Sequence, residues 1–126
     1  MEQGLGRQAT IGIGELSART GTSVRALRYY EQHRLLQATR TASGHRRFGQ
    51  DAVTVVQRIR MLLDAGLPLK TVGSVLVCFE GGTALHPCVT TYLRDHEAVI
   101  TTRVAALERQ GEALRHVQSL VSSSPA

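Results

Sequence analysis

Residues 13–33 decide the fold, and they read Ile-Gly-Glu-Leu-Ser-Ala-Arg-Thr-Gly-Thr-Ser-Val-Arg-Ala-Leu-Arg-Tyr-Tyr-Glu-Gln-His. The spacing of the apolar residues predicts a first helix over residues 14–20. Gly21 ends this helix, because glycine readily adopts the left-handed conformation that follows a helix. Thr22 and Ser23 then offer side-chain oxygens to free backbone amides, which starts a second helix over residues 24–33. Two short helices joined by one glycine-containing turn are typical of a helix-turn-helix.

The second predicted helix has an apolar face and a face of long polar side chains. At about 100° per residue, Leu27 and Tyr30 fall on the inner half, whereas Arg25 and Tyr29 project outward and Arg28 lies at the edge. This arrangement suits a recognition helix, because arginine forks bind guanine edges and phosphates and a phenol reaches a phosphate. An ordinary amphipathic helix with exposed arginines is the alternative.

Residues 37–48 carry no helical period and predict a β-hairpin. Their sequence, Gln-Ala-Thr-Arg-Thr-Ala-Ser-Gly-His-Arg-Arg-Phe, places a turn at Ser43-Gly44 between two short extended runs. Arg40 lies on one arm, and His45, Arg46 and Arg47 lie on the other. A basic hairpin after a helix-turn-helix is a wing that lies along a DNA backbone or minor groove.

Two further helices are predicted as packing elements from their apolar periodicity. The first spans about residues 50–65 and ends at Gly66, with a buried stripe of Val53, Val56, Ile59 and Leu63. The second has Pro68 in its first turn and carries Leu69, Val72, Val75, Leu76 and Phe79 on one side. Residues 80–83 are predicted as a loop.

A long last helix is predicted over residues 87–121. Five apolar residues recur in it every seven positions: Leu93, Ile100, Leu107, Leu114 and Val121. At 1.5 Å per residue this segment is roughly 50 Å long, more than a domain of this size covers with its own surface. We therefore expect an antiparallel coiled-coil homodimer with these five residues at its interface. The alternative is a monomer that folds the stripe back onto the two preceding helices.

Length and composition exclude several classes of protein. The chain has 126 residues, which is room for one modest domain and too little for a two-domain enzyme. No stretch approaches the roughly 18 apolar residues that cross a bilayer, so no membrane association is expected. The first seven residues lack the apolar core of a secretory signal, which predicts a cytoplasmic protein whose two cysteines stay reduced.

The positive charge is confined to the first half of the chain. Residues 1–60 contain ten arginines and four carboxylates, a net charge of +6, whereas residues 61–126 carry a net charge of −1. This asymmetry indicates that the first half meets a polyanion. Fourteen of the fifteen cations are arginine, whose planar guanidinium suits phosphate and guanine recognition. A solvated basic face is the alternative.

Four segments together resemble the MerR family of bacterial transcriptional regulators. They are residues 13–21 (Ile-Gly-Glu-Leu-Ser-Ala-Arg-Thr-Gly), residues 23–31 (Ser-Val-Arg-Ala-Leu-Arg-Tyr-Tyr-Glu), residues 44–48 (Gly-His-Arg-Arg-Phe), and Ile59-Arg60 with residues 65–69 (Ala-Gly-Leu-Pro-Leu). The resemblance extends over about residues 11–121.

The resemblance implies an all-α fold with a small β wing: a winged helix-turn-helix, two packing helices and a long helix that forms an antiparallel coiled-coil dimer. The expected organisation is a flexible N-terminus at residues 1–10, a DNA-binding domain at 11–80, a dimerisation helix at 86–121 and a tail at 122–126. Ser23, Arg25, Arg28 and Tyr29 match recognition-helix contacts of the family. Arg40, His45 and Arg46 match its wing contacts, and Arg47, on the same arm as His45 and Arg46, is expected to contact DNA as well.

Function follows from the resemblance in the same way. The family binds pseudo-palindromic promoters whose spacer between the polymerase-contact elements is overlong, and an effector makes the dimer bend and untwist that DNA. Double-stranded promoter DNA, a second copy of the chain and RNA polymerase are thus the implied partners. An inverted-repeat site follows independently from twofold symmetry, and untwisting would act through deformation energy alone.

The effector is left open by the sequence. Metal sensors of the family carry a cysteine-rich loop after the long helix and drug sensors carry a ligand domain; the chain has neither, so no metal site and no cofactor are expected. Cys88 matches a position where some metal sensors place a cysteine. A thiol in the first turn of a helix is also a candidate redox sensor, together with Cys78. The alternative is that Cys78 packs in the core and Cys88 is incidental.

Two other classes of function are compatible with parts of this sequence. An architectural DNA-binding protein would share the basic half and the dimer, but would coat DNA without a discrete inverted repeat. A small thiol enzyme would need a base or acid around Cys88, and no triad-like set of histidines and carboxylates is apparent. We therefore expect a regulator and not an enzyme.

Overall fold

The computed structural model describes residues 10–82 and 84–122. Its helices are α1 (Ile13–Thr20), α2 (Val24–Gln32), α3 (Ala52–Asp64), α4 (Leu69–Leu76) and α5 (Thr90–Ser119). Strands β1 (Thr39–Arg40) and β2 (Arg46–Arg47) pair antiparallel, and a short 3-10 helix spans Pro87–Val89. The predicted helical fold with a small β wing is confirmed. Of the two predicted tails, only Thr10 and Ser122 fall within the described residues.

The chain divides into two compact units between Ala84 and Leu85. The first unit contains α1 to α4 and the wing, and the second contains the 3-10 helix and α5. None of the helices in the described ranges combines the length and hydropathy that a membrane crossing needs. The predicted loop at residues 80–83 is described only as far as Gly82.

The turn between α1 and α2 follows the predicted chemistry. Gly21 has φ 68° and its amide donates to the carbonyl of Ser17 at 2.9 Å, which ends α1. The Ser23 hydroxyl accepts a hydrogen bond from the Ala26 amide at 3.1 Å and caps α2. Thr22 does not cap the helix. It is buried, and its hydroxyl accepts a hydrogen bond from Arg60 of α3 at 3.2 Å.

The core of the first unit joins the helix-turn-helix to α3, α4 and the wing. Its largest fully buried side chains are Phe48, Leu16, Leu27, Ile59, Val56, Val72 and Val75. Phe48 follows β2 directly, and its backbone exchanges two hydrogen bonds with Ile11, of 2.9 and 2.8 Å. Burying each such side chain stabilises the fold by about 1.5–3 kcal/mol. The wing is therefore fixed at its base by the same core that holds the two short helices.

The predicted stripe on α3 was partly wrong. Val56 and Ile59 are buried as expected, but Val53 and Leu63 are only half-buried. Ala52 and Leu62 take the buried positions instead. In both cases the buried residue is the one immediately before the predicted residue. The two neighbours are both apolar, so either of them fits the helical spacing of the buried stripe.

Phe79 does not belong to α4, contrary to prediction, because that helix ends at Leu76. Its ring instead lies 4.4 Å from the guanidinium carbon of Arg58, a cation–π distance. Arg58 also donates to the carbonyl of Gly82 at 2.6 Å. Through these two contacts, Arg58 of α3 holds the segment that follows α4.

The last predicted helix was too long at both ends. Residues 87–89 form a 3-10 turn, α5 begins at Thr90, and Ser119 ends it, so Val121 lies beyond the helix. Cys88 consequently lies in the 3-10 turn that leads directly into α5, and not in the first turn of the α-helix itself. With 30 residues, α5 is about 45 Å long.

Candidate nucleic-acid interface

The outward face of α2 collects the residues predicted to contact DNA. Ser23, Arg25, Arg28 and Tyr29 share one exposed surface of α2, which Gln32 extends toward the end of the helix. All five side chains are exposed. Ser23 also caps the helix, and the Tyr29 ring lies 4.3 Å from the ring of His33. The surface offers two guanidinium groups, an amide and a phenol, which are the donors that read base edges and contact phosphates.

Gln32 was not among the predicted contacts. It lies seven residues after Arg25 and therefore two turns along the same face, a signal that was already present in the helical spacing. Its amide has the geometry that pairs with adenine.

Buried side chains behind α2 hold this face outward. Leu27 and Tyr30 are buried, and burial raises the pKa of Tyr30, so its phenol stays neutral. From α3, Arg60 donates to the carbonyl of Thr20 at 2.8 Å and to the Thr22 hydroxyl at 3.2 Å. Arg60 thus connects the turn of the helix-turn-helix to α3. The charge count of the sequence does not distinguish it from the arginines that face solvent.

The tip of the wing is exposed and held by its own turn. Gly44 has φ 89°, and its amide donates to the carbonyl of Thr41 at 2.8 Å. Arg40 donates to the carbonyl of Gly44 at 2.9 Å, and Ser43 contacts Nδ1 of His45 at 2.9 Å. The predicted turn at Ser43-Gly44 is confirmed, and it presents Arg40 and His45 to solvent.

Arg46 and Arg47 differ from the tip residues because both are half-buried and bind protein groups outside the hairpin. Arg47 donates to the hydroxyl and to the carbonyl of Thr10, at 3.1 and 2.7 Å. Arg46 Nε lies 3.1 Å from a carboxylate oxygen of Glu31 on α2. The structure therefore brings the predicted contacts into two groups: exposed side chains on α2 and at the wing tip, and two arginines that fasten the wing.

The remaining predicted site residues lie elsewhere in the chain. Cys78 is half-buried and its thiol donates to the carbonyl of Ser74 at 3.5 Å, whereas Cys88 is exposed and its amide donates to His86 Nδ1 at 3.0 Å. The two cysteines belong to different units. Residues 10–82 and 84–122 contain no group of three side chains suited to holding a metal ion.

On the second unit, α5 has no buried residue. Leu107 and Leu114 are each 59% exposed, and the other large apolar side chains exposed on α5 are Tyr92, Val99, Ile100, Val104 and Val117. Leu93 is half-buried. Such a long exposed apolar surface is typical of a helix that packs against a partner.

A helix-turn-helix with outward arginines, followed by a basic hairpin on a shared core, defines a winged helix-turn-helix DNA-binding protein. Residues 12–76 match the model of the MerR HTH family of regulatory proteins. The chain belongs to this family, is a transcriptional regulator, and is not an enzyme.

The chain is also similar to individual regulators and to solved structures of the family. The chain is 30% identical over 110 residues to the HTH-type transcriptional regulator HmrR of Sinorhizobium medicae, covering 86% of this chain and 75% of HmrR. It is 35% identical over 106 residues to the nodulation protein NolA of a Bradyrhizobium strain, where it spans only 42% of the relative. Among solved structures, a MerR family regulator from Bacillus cereus superposes with a TM-score of 0.64 at 25% identity, covering 88% of this chain and 79% of that one.

Proposed function

We propose that the protein acts as a homodimer that binds an inverted-repeat promoter site, with one α2 in the major groove of each half-site. The uncovered apolar face of α5 is the observation that carries this proposal, because a helix about 45 Å long with no buried residue needs a partner of matching length. A second copy of the same chain supplies one. A dimer presents two copies of the exposed DNA-contacting side chains of α2. Because the copies are related by twofold symmetry, the DNA sequence that they recognise is an inverted repeat.

Within each half-site, the side chains divide by chemistry. Arg25 and Gln32 lie on the outer face of α2 and are proposed to read base edges. Tyr29, Arg28, Arg40 and His45 are exposed around them and are proposed to contact phosphates, which fix position and orientation. Ser23 adds a hydroxyl at the N-terminus of α2, where backbone amides favour a phosphate.

Transcription is proposed to change because the bound dimer distorts the promoter and so alters how RNA polymerase meets it. The cost of bending or untwisting depends on the sequence deformed, so central base pairs that the protein never touches would still affect affinity. Substituting those central pairs tests this point. If affinity and transcription are indifferent to them, the distortion part of the proposal is wrong.

We propose that the effector is an oxidant or electrophile that reacts with a cysteine thiol. Cys88 is the candidate because its side chain is exposed. Treatment with an alkylating agent, compared between the protein and its Cys88→Ser variant, should change promoter output only when Cys88 is present. Unchanged DNA affinity and unchanged output in both proteins would reject a sensing role for this cysteine.

Selection of binding sites from a random duplex pool tests the proposed function most economically. The recovered sequences should contain an inverted repeat whose half-sites lie about one or two helical turns apart, and footprinting should show a discrete protected region. Recovery of unrelated sequences with general coating of the duplex would favour the architectural alternative.

A further inference from the structure

We propose that Glu31 is a positioning residue for DNA binding: it holds Arg46 of the wing so that the terminal nitrogens of Arg46 meet a phosphate. This inference rests on the proposed function, because it assigns a role within the same interface. Glu31 lies on α2 beside buried Tyr30, and Arg46 lies on β2, so the pair connects the recognition helix to the wing.

The geometry of the pair leaves one end of Arg46 free. Its Nε lies 3.1 Å from Oε1 of Glu31 and is inaccessible to solvent, although its N–H does not point at the oxygen closely enough for a hydrogen bond. The contact is thus an ion pair that compensates a desolvated nitrogen. Among the described residues, no hydrogen bond to the Nη groups of Arg46 accompanies it, and the side chain remains 38% exposed.

The location of the pair places that free end toward the proposed DNA surface. Glu31 and Arg46 line one cleft together with Arg28 and Gln32 of α2. A carboxylate in such a cleft repels a phosphate unless a cation stands between them. Two arginines line this cleft, and Arg46 is the one whose guanidinium forms an ion pair with Glu31; its Nη groups remain available for charge-assisted hydrogen bonds to an anion.

A purely electrostatic role of Glu31 and a positioning role predict opposite changes in DNA affinity when its carboxylate is removed. If Glu31 contributed only its negative charge, Glu31→Gln would strengthen binding to any DNA, because the interface would become more positive. If Glu31 positions Arg46, the same change frees the guanidinium and weakens binding. We expect Glu31→Gln to bind about two- to fivefold more weakly, the range expected for a partly exposed ion pair.

The chain provides a matched control for the change in charge. Glu15 forms an ion pair with Arg19 on α1, at 2.7 Å and about half exposed, and Glu15→Gln raises the net charge by the same amount. Titrations would use the inverted-repeat duplex recovered by site selection, at several salt concentrations. Glu15→Gln should bind as tightly as the unmodified protein or slightly more tightly.

Arg46→Gln completes a double-mutant cycle that separates positioning from a general loss of structure. We expect it to reduce the slope of log affinity against log salt by about 0.9, the loss of one phosphate contact, while Glu31→Gln leaves the slope unchanged. In the Arg46→Gln background, Glu31→Gln should no longer weaken binding and should strengthen it slightly, because the carboxylate then faces the phosphate without its cation.

Three results would overturn the proposal: Glu31→Gln binding as tightly as Glu15→Gln, an unchanged salt slope in Arg46→Gln, or an equal loss from Glu31→Gln in both backgrounds. Failure of the unmodified protein to bind any selected duplex would instead reject the proposed function. The two failures are therefore distinguishable.

Discussion

Arginine side chains serve two purposes in the first unit. Arg47 and Arg60 donate to backbone and hydroxyl oxygens within the protein, whereas Arg25 and Arg28 extend from α2 into solvent. Only the second group is free to bind an external partner without breaking an internal bond. Residue type and local spacing do not separate the two, because the groups that Arg47 and Arg60 bind lie 37 to 40 residues away along the chain.

Arg25→Ala should weaken binding to the selected duplex much more than binding to random DNA. A bidentate contact to a base edge contributes about 1–3 kcal/mol of discrimination, which corresponds to roughly a fivefold to 150-fold loss on the cognate site. Fluorescence anisotropy titrations at one fixed salt concentration measure both affinities. An equal loss on the two DNAs would identify Arg25 as a phosphate contact.

Tyr30→Phe should reduce the loss of unfolding free energy at alkaline pH. Burial raises the pKa of Tyr30 above its usual 10.0, so the unfolded chain ionises first as the pH rises. The free energy of unfolding should be unaffected well below the unfolded pKa and should fall progressively above it. Urea unfolding at pH 8 and about pH 10.5 should show a smaller decline in Tyr30→Phe than in the unmodified protein. Identical declines would show that Tyr30 ionises normally in the fold.

Helices and turns depend on a few local conformations. At Gly21, φ of 68° lies in the left-handed region, where a side chain costs about 1–2 kcal/mol. Gly14 lies inside α1, and a methyl group there would meet no atom within 4 Å. The same substitution should therefore have opposite effects at two sites seven residues apart.

Gly21→Ala should lower the free energy of unfolding by about 1 kcal/mol or more, and Gly14→Ala should raise it by about 0.4–1 kcal/mol because alanine leaves the unfolded chain fewer conformations than glycine does. Thermal or urea unfolding of both variants measures the difference. A stabilised Gly21→Ala would contradict the left-handed end of α1.

The helix-turn-helix, the hairpin turn and the order of elements were predictable, because each rests on a local signal such as Gly21, Ser23 or Ser43-Gly44. The 3-10 turn before α5 was not, since Pro87 is equally compatible with the start of either helix type. The fastening roles of Arg46 and Arg47 were missed for another reason. They depend on Glu31 and Thr10, contacts that only the tertiary fold brings together.

For the whole molecule, the two units present chemically different surfaces. The first unit has a basic outer face on α2 and the wing, and the second has an apolar face along α5. We propose that the second surface sets the number of copies and the first selects the DNA. Neither surface alone would recognise an inverted repeat with high affinity.

Leu107→Glu should dissociate the proposed dimer. Each dimer would lose two buried leucines, which corresponds to at least about 3 kcal/mol and roughly a hundredfold rise in the dissociation constant. Thr101→Glu adds the same charge on the polar side of α5 and should leave the dimer intact. Sedimentation velocity over a range of concentrations compares the two variants, and equal behaviour would place Leu107 outside the interface.

Sedimentation equilibrium of the protein with a selected duplex tests the central claim most directly, because it measures how many chains each duplex binds. We predict two chains of 13.7 kDa on a duplex with both half-sites and a large loss of affinity when one half-site is scrambled. A single chain per duplex, bound equally well with one half-site or two, would contradict the proposed dimeric regulator.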